Sequence, residues 1–212
     1  MPRKSAQPPP TAQAPAAPEE DHFGLERLIF FSDAVFAIAI TLLALEIRLP
    51  VPAGDLSDRQ LLQALAGTWH KYLSFAISFL VIGAFWMGHH RKFRFIKRYD
   101  TNLLILNTFL LMGIAFIPFP TSVLSENPGM TATIFYALAI ILVGLLNAAI
   151  WIYASRHNRL IAPDFTYQQK RHEALRALVV PAVFLFSIGV AFINADLAKF
   201  SWLLLALAIK FV

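Results

Sequence analysis

The stretch RLIFFSDAVFAIAITLLALEI, residues 27–47, decides how this chain folds. It opens on Arg27, places Ser32 and Asp33 about a turn and a half inside, and then runs apolar except for Thr41 and Glu46. A bilayer core is crossed by about 20 predominantly apolar residues, so residues 28–47 read as a membrane-spanning helix. A carboxylate at that depth costs about 2.5–3.5 kcal/mol on insertion scales. Asp33 therefore needs polar company from other spans.

The rest of the chain agrees with a membrane setting. Of its 212 residues 58% are hydrophobic and 15% charged, with a mean hydropathy of +0.60, which is not a soluble domain's composition. The net charge of +5 is spread between apolar runs, forming no continuous basic face, so it signals topology rather than nucleic-acid binding. With no cysteine, disulfides, thiol catalysis and thiolate metal sites are excluded. Residues 1–22 hold six of the thirteen prolines and read as a disordered tail. No apolar stretch follows Arg3 and Lys4 closely enough for a cleavable signal peptide.

Residues 23–212 read as one all-α, six-span membrane domain. After the first span, the second is uncharged over 72–88, with an amphipathic lead-in over 61–70. The third covers 101–119 and is expected to stop where Pro118 and Pro120 break it. The fourth covers 130–154, the fifth 177–195 with a kink at Pro181, and the sixth starts near Leu197. Fourteen Lys and Arg fall on the side of the amino terminus, the 91–98 run, the 156–176 loop and Lys210 after the sixth span, against four opposite (Arg48, Arg59, Lys71, Lys199). The positive-inside rule then places both termini in the cytoplasm. Trp69, Trp86, Trp151 and Trp202 all lie near span ends, as an interfacial aromatic belt would require.

At about 100° per residue, Phe31, Ala34, Ile38, Thr41 and Leu45 share one stripe of the first span, with Leu42 flanking it. Asp33 and Ser32 lie off that stripe on either side, so the polar pair and the stripe cannot serve the same surface. Packing against another span or against lipid accounts for an apolar stripe by default, and the Thr41 hydroxyl can bond its own helix. An intramembrane carboxylate instead invites a functional reading, with a structural polar anchor as the alternative. Candidate partners for Asp33 are Trp86, His89, His90, Asn102 and Asn107. Arg27, six residues back, is poorly placed for a same-face pair and reaches elsewhere or caps a pore mouth.

Arg27-x-x-x-Phe31-Ser32-Asp33 followed by AVFAIAITLLALEI resembles the signature of the transmembrane protein 175 family, the endolysosomal-type potassium channels and their prokaryotic relatives. FWMGHHRKF at the end of the second span and IPFP at the end of the third extend the likeness. The resemblance implies a potassium-selective channel whose first span lines the pore. Animal members carry two six-span repeats; this single repeat implies a homotetramer in a prokaryotic cell membrane, with potassium as the permeant ion and no cofactor. It implies a hydrophobic constriction at Ile38, Leu42 and Leu45, a polar ring at Thr41, and a structural network at the motif residues with Trp86, His89, Asn102 and Asn107. No TVGYG-like carbonyl filter occurs, so selectivity would have to arise at a narrow constriction lined by side chains.

Other patterns carry less. His89 and His90 beside Asp33 suggest a metal site, but the six histidines are scattered, with no second cluster. Glu46 and Arg48 read as interfacial charges, although a ring of Glu46 could concentrate cations at the outer mouth. The RKFRFIKR run reads as a topological anchor, with lipid headgroup recognition as its alternative. No nucleophile motif, phosphate loop or paired catalytic carboxylate appears, so no enzyme is expected. A secondary transporter or proton-coupled carrier using Asp33 and His89/His90 is the rival to a channel, and broken helices near the midplane would favour it.

Overall fold

The computed structural model describes residues 19–49, 56–127 and 129–204. The chain is a bundle of helices. α1 (Glu19–Leu42) ends in a tight 3₁₀ turn (Leu43–Glu46), and a short α2 (Asp58–Gly67) precedes α3 (Trp69–Phe95). α4 (Thr101–Phe116) and α5 (Pro118–Glu126) follow, then α6 (Met130–Ser155), α7 (Tyr167–Ala191) and α8 (Ala195–Ser201). Among the described residues five segments are long and apolar enough to cross a membrane: Phe23–Glu46, Trp69–Phe95, Thr101–Glu126, Met130–Asn158 and Tyr167–Ala191. The protein is thus a multi-pass, all-helical membrane protein. The expected sixth span begins at α8, and its remainder from residue 205 lies outside the described residues.

One boundary differs from expectation, for a local reason. Pro118 and Pro120 do not end the third span. Ile117 keeps helical dihedrals and Pro118 opens α5, where a missing N–H costs nothing. Pro181 lies inside α7, which continues as a helix on both sides of it. Its ring occupies the space beside Gly144 on α6, where any Cβ would collide with it. Residues 1–18 of the expected tail lie outside the described residues, and α1 begins at Glu19.

α6 is the centre of the bundle, packing along α7 on one side and α4 on the other. Tyr136, Phe184 and Trp202 meet with ring centroids 5.1–5.8 Å apart, fastening the segment after α8 to α6 and α7. Trp151 is fully buried and donates from Nε1 to the Lys170 carbonyl at 3.0 Å. Of the four tryptophans near span ends, Trp151 and Trp202 are buried among the helices, and Trp69 and Trp86 are exposed.

One end of the molecule gathers the basic loops. Ile96 and Ile161 pair as an antiparallel bridge, and the Lys97 and Arg98 amides both donate to the Leu160 carbonyl. Gly24 of α1 lies against the Tyr99 ring, with no room for a side chain. At the opposite end, Lys71 Nζ donates to the Arg48 carbonyl at 3.2 Å. The α3–α4 and α6–α7 connections thus share one end with the start of the first span.

Candidate functional site

Two faces of α1 divide its labour. Leu25, Leu28, Ser32, Phe36, Ala39 and Leu43 recur at three- and four-residue spacing and are all buried against α3 and α4. Turned away from them, Phe31, Ile38, Leu42 and Leu45 are 60%, 58%, 40% and 62% exposed, and Ala34 and Thr41 are exposed as well. Only 22% of the apolar window of this first span is buried, against 33–50% for the other four. It therefore offers the most unpartnered surface. The Thr41 hydroxyl donates to the Ile38 carbonyl at 2.8 Å, three residues back, and keeps its lone pairs toward the open face. Val35 and Ile40 are half-buried against the core.

Ser32 starts a buried polar chain. Its Oγ donates to the Leu28 carbonyl at 2.8 Å and accepts from Asn107 Nδ2 at 2.9 Å. Asn107 Oδ1 lies 3.0 Å from His89 Nε2. Because the Asn107 amide group already donates to Ser32, its carbonyl oxygen must accept, which places the imidazole proton on Nε2. All three side chains are at most 1% exposed. His89 also stacks on Phe93 at 4.1 Å and tilts against Phe36 at 5.6 Å. One hydrogen-bonded line thus joins α1, α4 and α3.

Asp33, the next residue, takes a different partner. Trp86 Nε1 donates to its Oδ1 at 2.9 Å, and Trp86 in turn packs on exposed His90 at 5.6 Å. The pair borders an open cleft of about 290 Å³ with Phe36, Ala37 and Ile40. Arg27 and Phe31 join neither group. Both are exposed, and the Arg27 guanidinium sits 6.0 Å from the Phe23 ring. Asn102 is also elsewhere, donating to Tyr153 Oη at 3.1 Å. Glu46 is half-buried in the 3₁₀ turn. Among the described residues no three His, Cys, Asp or Glu side chains converge as metal ligands would.

One polar cluster is not apparent from the sequence. Lys92, counted with the basic run, is 1% exposed and donates from Nζ to Asn147 O at 2.9 Å and Oδ1 at 2.8 Å. Next to it, the buried Glu173 carboxylate pairs with Arg91 at 2.8 Å and Arg176 at 3.1 Å. Asn147, alone in an apolar span, is the signal that could have found it.

Residues 27–118 match the family described as the endosomal/lysosomal potassium channel TMEM175. A potassium channel from Streptomyces collinus is 35% identical over 186 residues, covering 85% of this chain and 89% of that one. The chain belongs to the TMEM175 family. Within it, the crystal structure of a lysosomal potassium-selective channel TMEM175 homolog from Chamaesiphon minutus superposes with a TM-score of 0.76 at 30% identity. The match covers 89% of this chain and 96% of that one. A zebrafish TMEM175, named as an endosomal/lysosomal proton channel, is 29% identical over 189 residues, which span 86% of this chain and 35% of that protein.

Proposed function

We propose that this protein is a potassium-selective cation channel, assembled as a homotetramer with four copies of α1 around one axis. The observation that carries the reading is the open face of α1. Among the described residues Phe31, Ala34, Ile38, Thr41, Leu42 and Leu45 are all exposed, while the opposite face is held by two sets of hydrogen bonds. Lipid would satisfy the apolar members, but a hydroxyl gains more from water or ions. In the tetramer Ile38, Leu42 and Leu45 form the constriction, Thr41 the polar ring, and Glu46 stands near the mouth. The loop charges orient both termini toward the cytoplasm. The potassium channel from Streptomyces collinus and the potassium-selective Chamaesiphon homolog support this assignment of the permeant ion.

The carrier reading loses the support it asked for, because α7 runs through Pro181 without a break. Recording in planar bilayers under bi-ionic potassium/sodium conditions tests the channel reading, with native mass spectrometry of the purified protein for stoichiometry. Unitary currents reversing in favour of potassium, from a tetramer, are expected. Transport without unitary currents, or a stable monomer, overturns it. The proton channel named in zebrafish makes a second recording informative, with protons as the sole permeant cation under a pH gradient.

A further inference from the structure

The α6–α7 connection carries a cationic pocket that conduction does not use. Tyr153, Arg156, His157 and Arg159 line an open cavity of about 470 Å³, within the range of small-ligand sites. Among the described residues no carboxylate lines it. The nearest described acid in the cluster, Asp100, is already engaged: Tyr153 Oη donates to it at 2.6 Å, the Leu103 amide at 2.9 Å and Arg159 Nε at 3.2 Å. Arg159 lies over the Tyr153 ring at 4.9 Å. That leaves its two terminal amino groups without a hydrogen bond among the described residues. The Arg156 side chain makes no hydrogen bond or ion pair among them.

The pocket is built rather than incidental. His157 and Asn158 both adopt left-handed backbone angles, with φ of 54° and 53°, a conformation that persists only where its surroundings impose it. Here they do. The Leu160 amide returns to the Ala154 carbonyl at 3.0 Å, and the Leu160 carbonyl holds the amides of Lys97 and Arg98. Asn158 Nδ2 donates to the Pro163 carbonyl at 3.1 Å, and Lys170 donates to Asn158 Oδ1. The turn sets Arg156 and Arg159 on one rim, three residues apart.

We infer that this pocket binds a phosphate-bearing anion. Two guanidinium forks match phosphate oxygens in pairs, and a histidine supplies a further donor. At the end of α6, among the basic loops, the site is open both to a lipid headgroup at the membrane surface and to a soluble phosphate. The chemistry is the same for either source.

The full-length protein in neutral detergent decides the matter by titration at fixed ionic strength. Inorganic pyrophosphate is one probe, and short-chain phosphatidic acid against phosphatidylcholine of equal length is the other. Saturable binding of at least one phosphate probe is expected, and Arg156→Gln should weaken it by about tenfold, the loss of one charge-assisted contact. Arg94→Gln and Arg171→Gln remove the same charge from exposed positions at the same end and should leave affinity within about twofold. Binding of phosphatidic acid alone assigns the site to lipid, and binding of pyrophosphate alone or of both shows that a soluble anion suffices. Arg159→Gln should behave as Arg156→Gln but also loosen the Asp100 cluster, so Arg156→Gln is the decisive variant. If neither probe saturates, or if the two control variants lose as much affinity as Arg156→Gln, the site does not exist.

Discussion

Trp86 donates its indole N–H to Asp33 across 2.9 Å, so the carboxylate within the first span is held by the third helix, off the open face of its own. That geometry supports a structural role for Asp33, as the pore-face proposal requires. Asp33→Asn keeps an acceptor but loses charge assistance, and Trp86→Phe removes the donor. Each should lower the stability of the purified protein by about 0.5–1.5 kcal/mol, with the double variant costing less than the sum. Thermal unfolding in detergent measures this, with the potassium/sodium reversal potential recorded alongside. An unchanged melting temperature with lost potassium preference would move Asp33 into the permeation path.

Deeper in the bundle, Ser32→Ala strips Asn107 Nδ2 of its acceptor where no water reaches, at a cost of about 1–3 kcal/mol. Asn107→Leu also orphans the His89 Nε2 proton. Ser32→Ala combined with Asn107→Leu should be less than additive, because the second change removes the group that the first leaves unsatisfied. Additive losses would show that the two side chains act separately.

The open face makes a permeation prediction. Ile38→Ala, Leu42→Ala and Leu45→Ala should each widen an apolar constriction, raising conductance and weakening discrimination against larger cations. Ile38→Asn should ease wetting at similar volume. Thr41→Val keeps the shape and deletes the hydroxyl, so potassium preference should fall if that ring coordinates ions. It should hold if the hydroxyl's bond to the Ile38 carbonyl is its whole role. Val35 and Ile40 pack on the core, so their alanine variants should lose stability while permeation stays near wild type. Reversal potentials and conductances that change at Val35 or Ile40 but not on the open face would show that the pore-lining face is misassigned.

Acid should reach the basic end through Asp100. Partial burial opposes its ionisation, but the Tyr153 hydroxyl, the Leu103 amide and the Arg159 guanidinium outweigh that and hold its carboxyl below the ordinary range. A depressed folded value means that the stabilisation is complete above the unfolded value of about 3.9 and is lost as pH falls through the folded one. Asp100→Asn retains the helix cap but not the ionic part. The gap in melting temperature between wild type and Asp100→Asn should therefore be widest near neutral pH and close below about pH 4. A gap that stays constant down to the lowest pH at which the protein folds would assign the effect to the cap alone.

Five of the six expected spans were legible because apolar length is a coarse signal, and the two faces of α1 were legible because helical spacing is fixed by geometry. The partner of Asp33 was not. Trp86, His89 and His90 fall within two turns of α3, and which of them faces α1 depends on how that helix is rotated by its contacts with α5 and α6. Pro118 misled for a related reason: a proline is a breaker inside a helix and a good opener at its first turn, and only the path after Ile117 decides between them. Lys92 was hidden by its neighbours, since five basic residues in eight suggest a solvated run until one is found folded inward onto Asn147.

Ser32 and Asp33 are adjacent in sequence yet tied directly to different helices, one to Asn107 of α4 and the other to Trp86 of α3. Two tethers leaving a rod in different directions remove its freedom to swivel. α1 therefore cannot exchange one presented face for another by turning about its own axis, because a step of one residue would sever both ties together. Any change in what α1 displays must come from tilting or translation with α3 and α4 in tow, or from bending beyond Thr41, where the helix passes into its 3₁₀ turn and neither tether reaches.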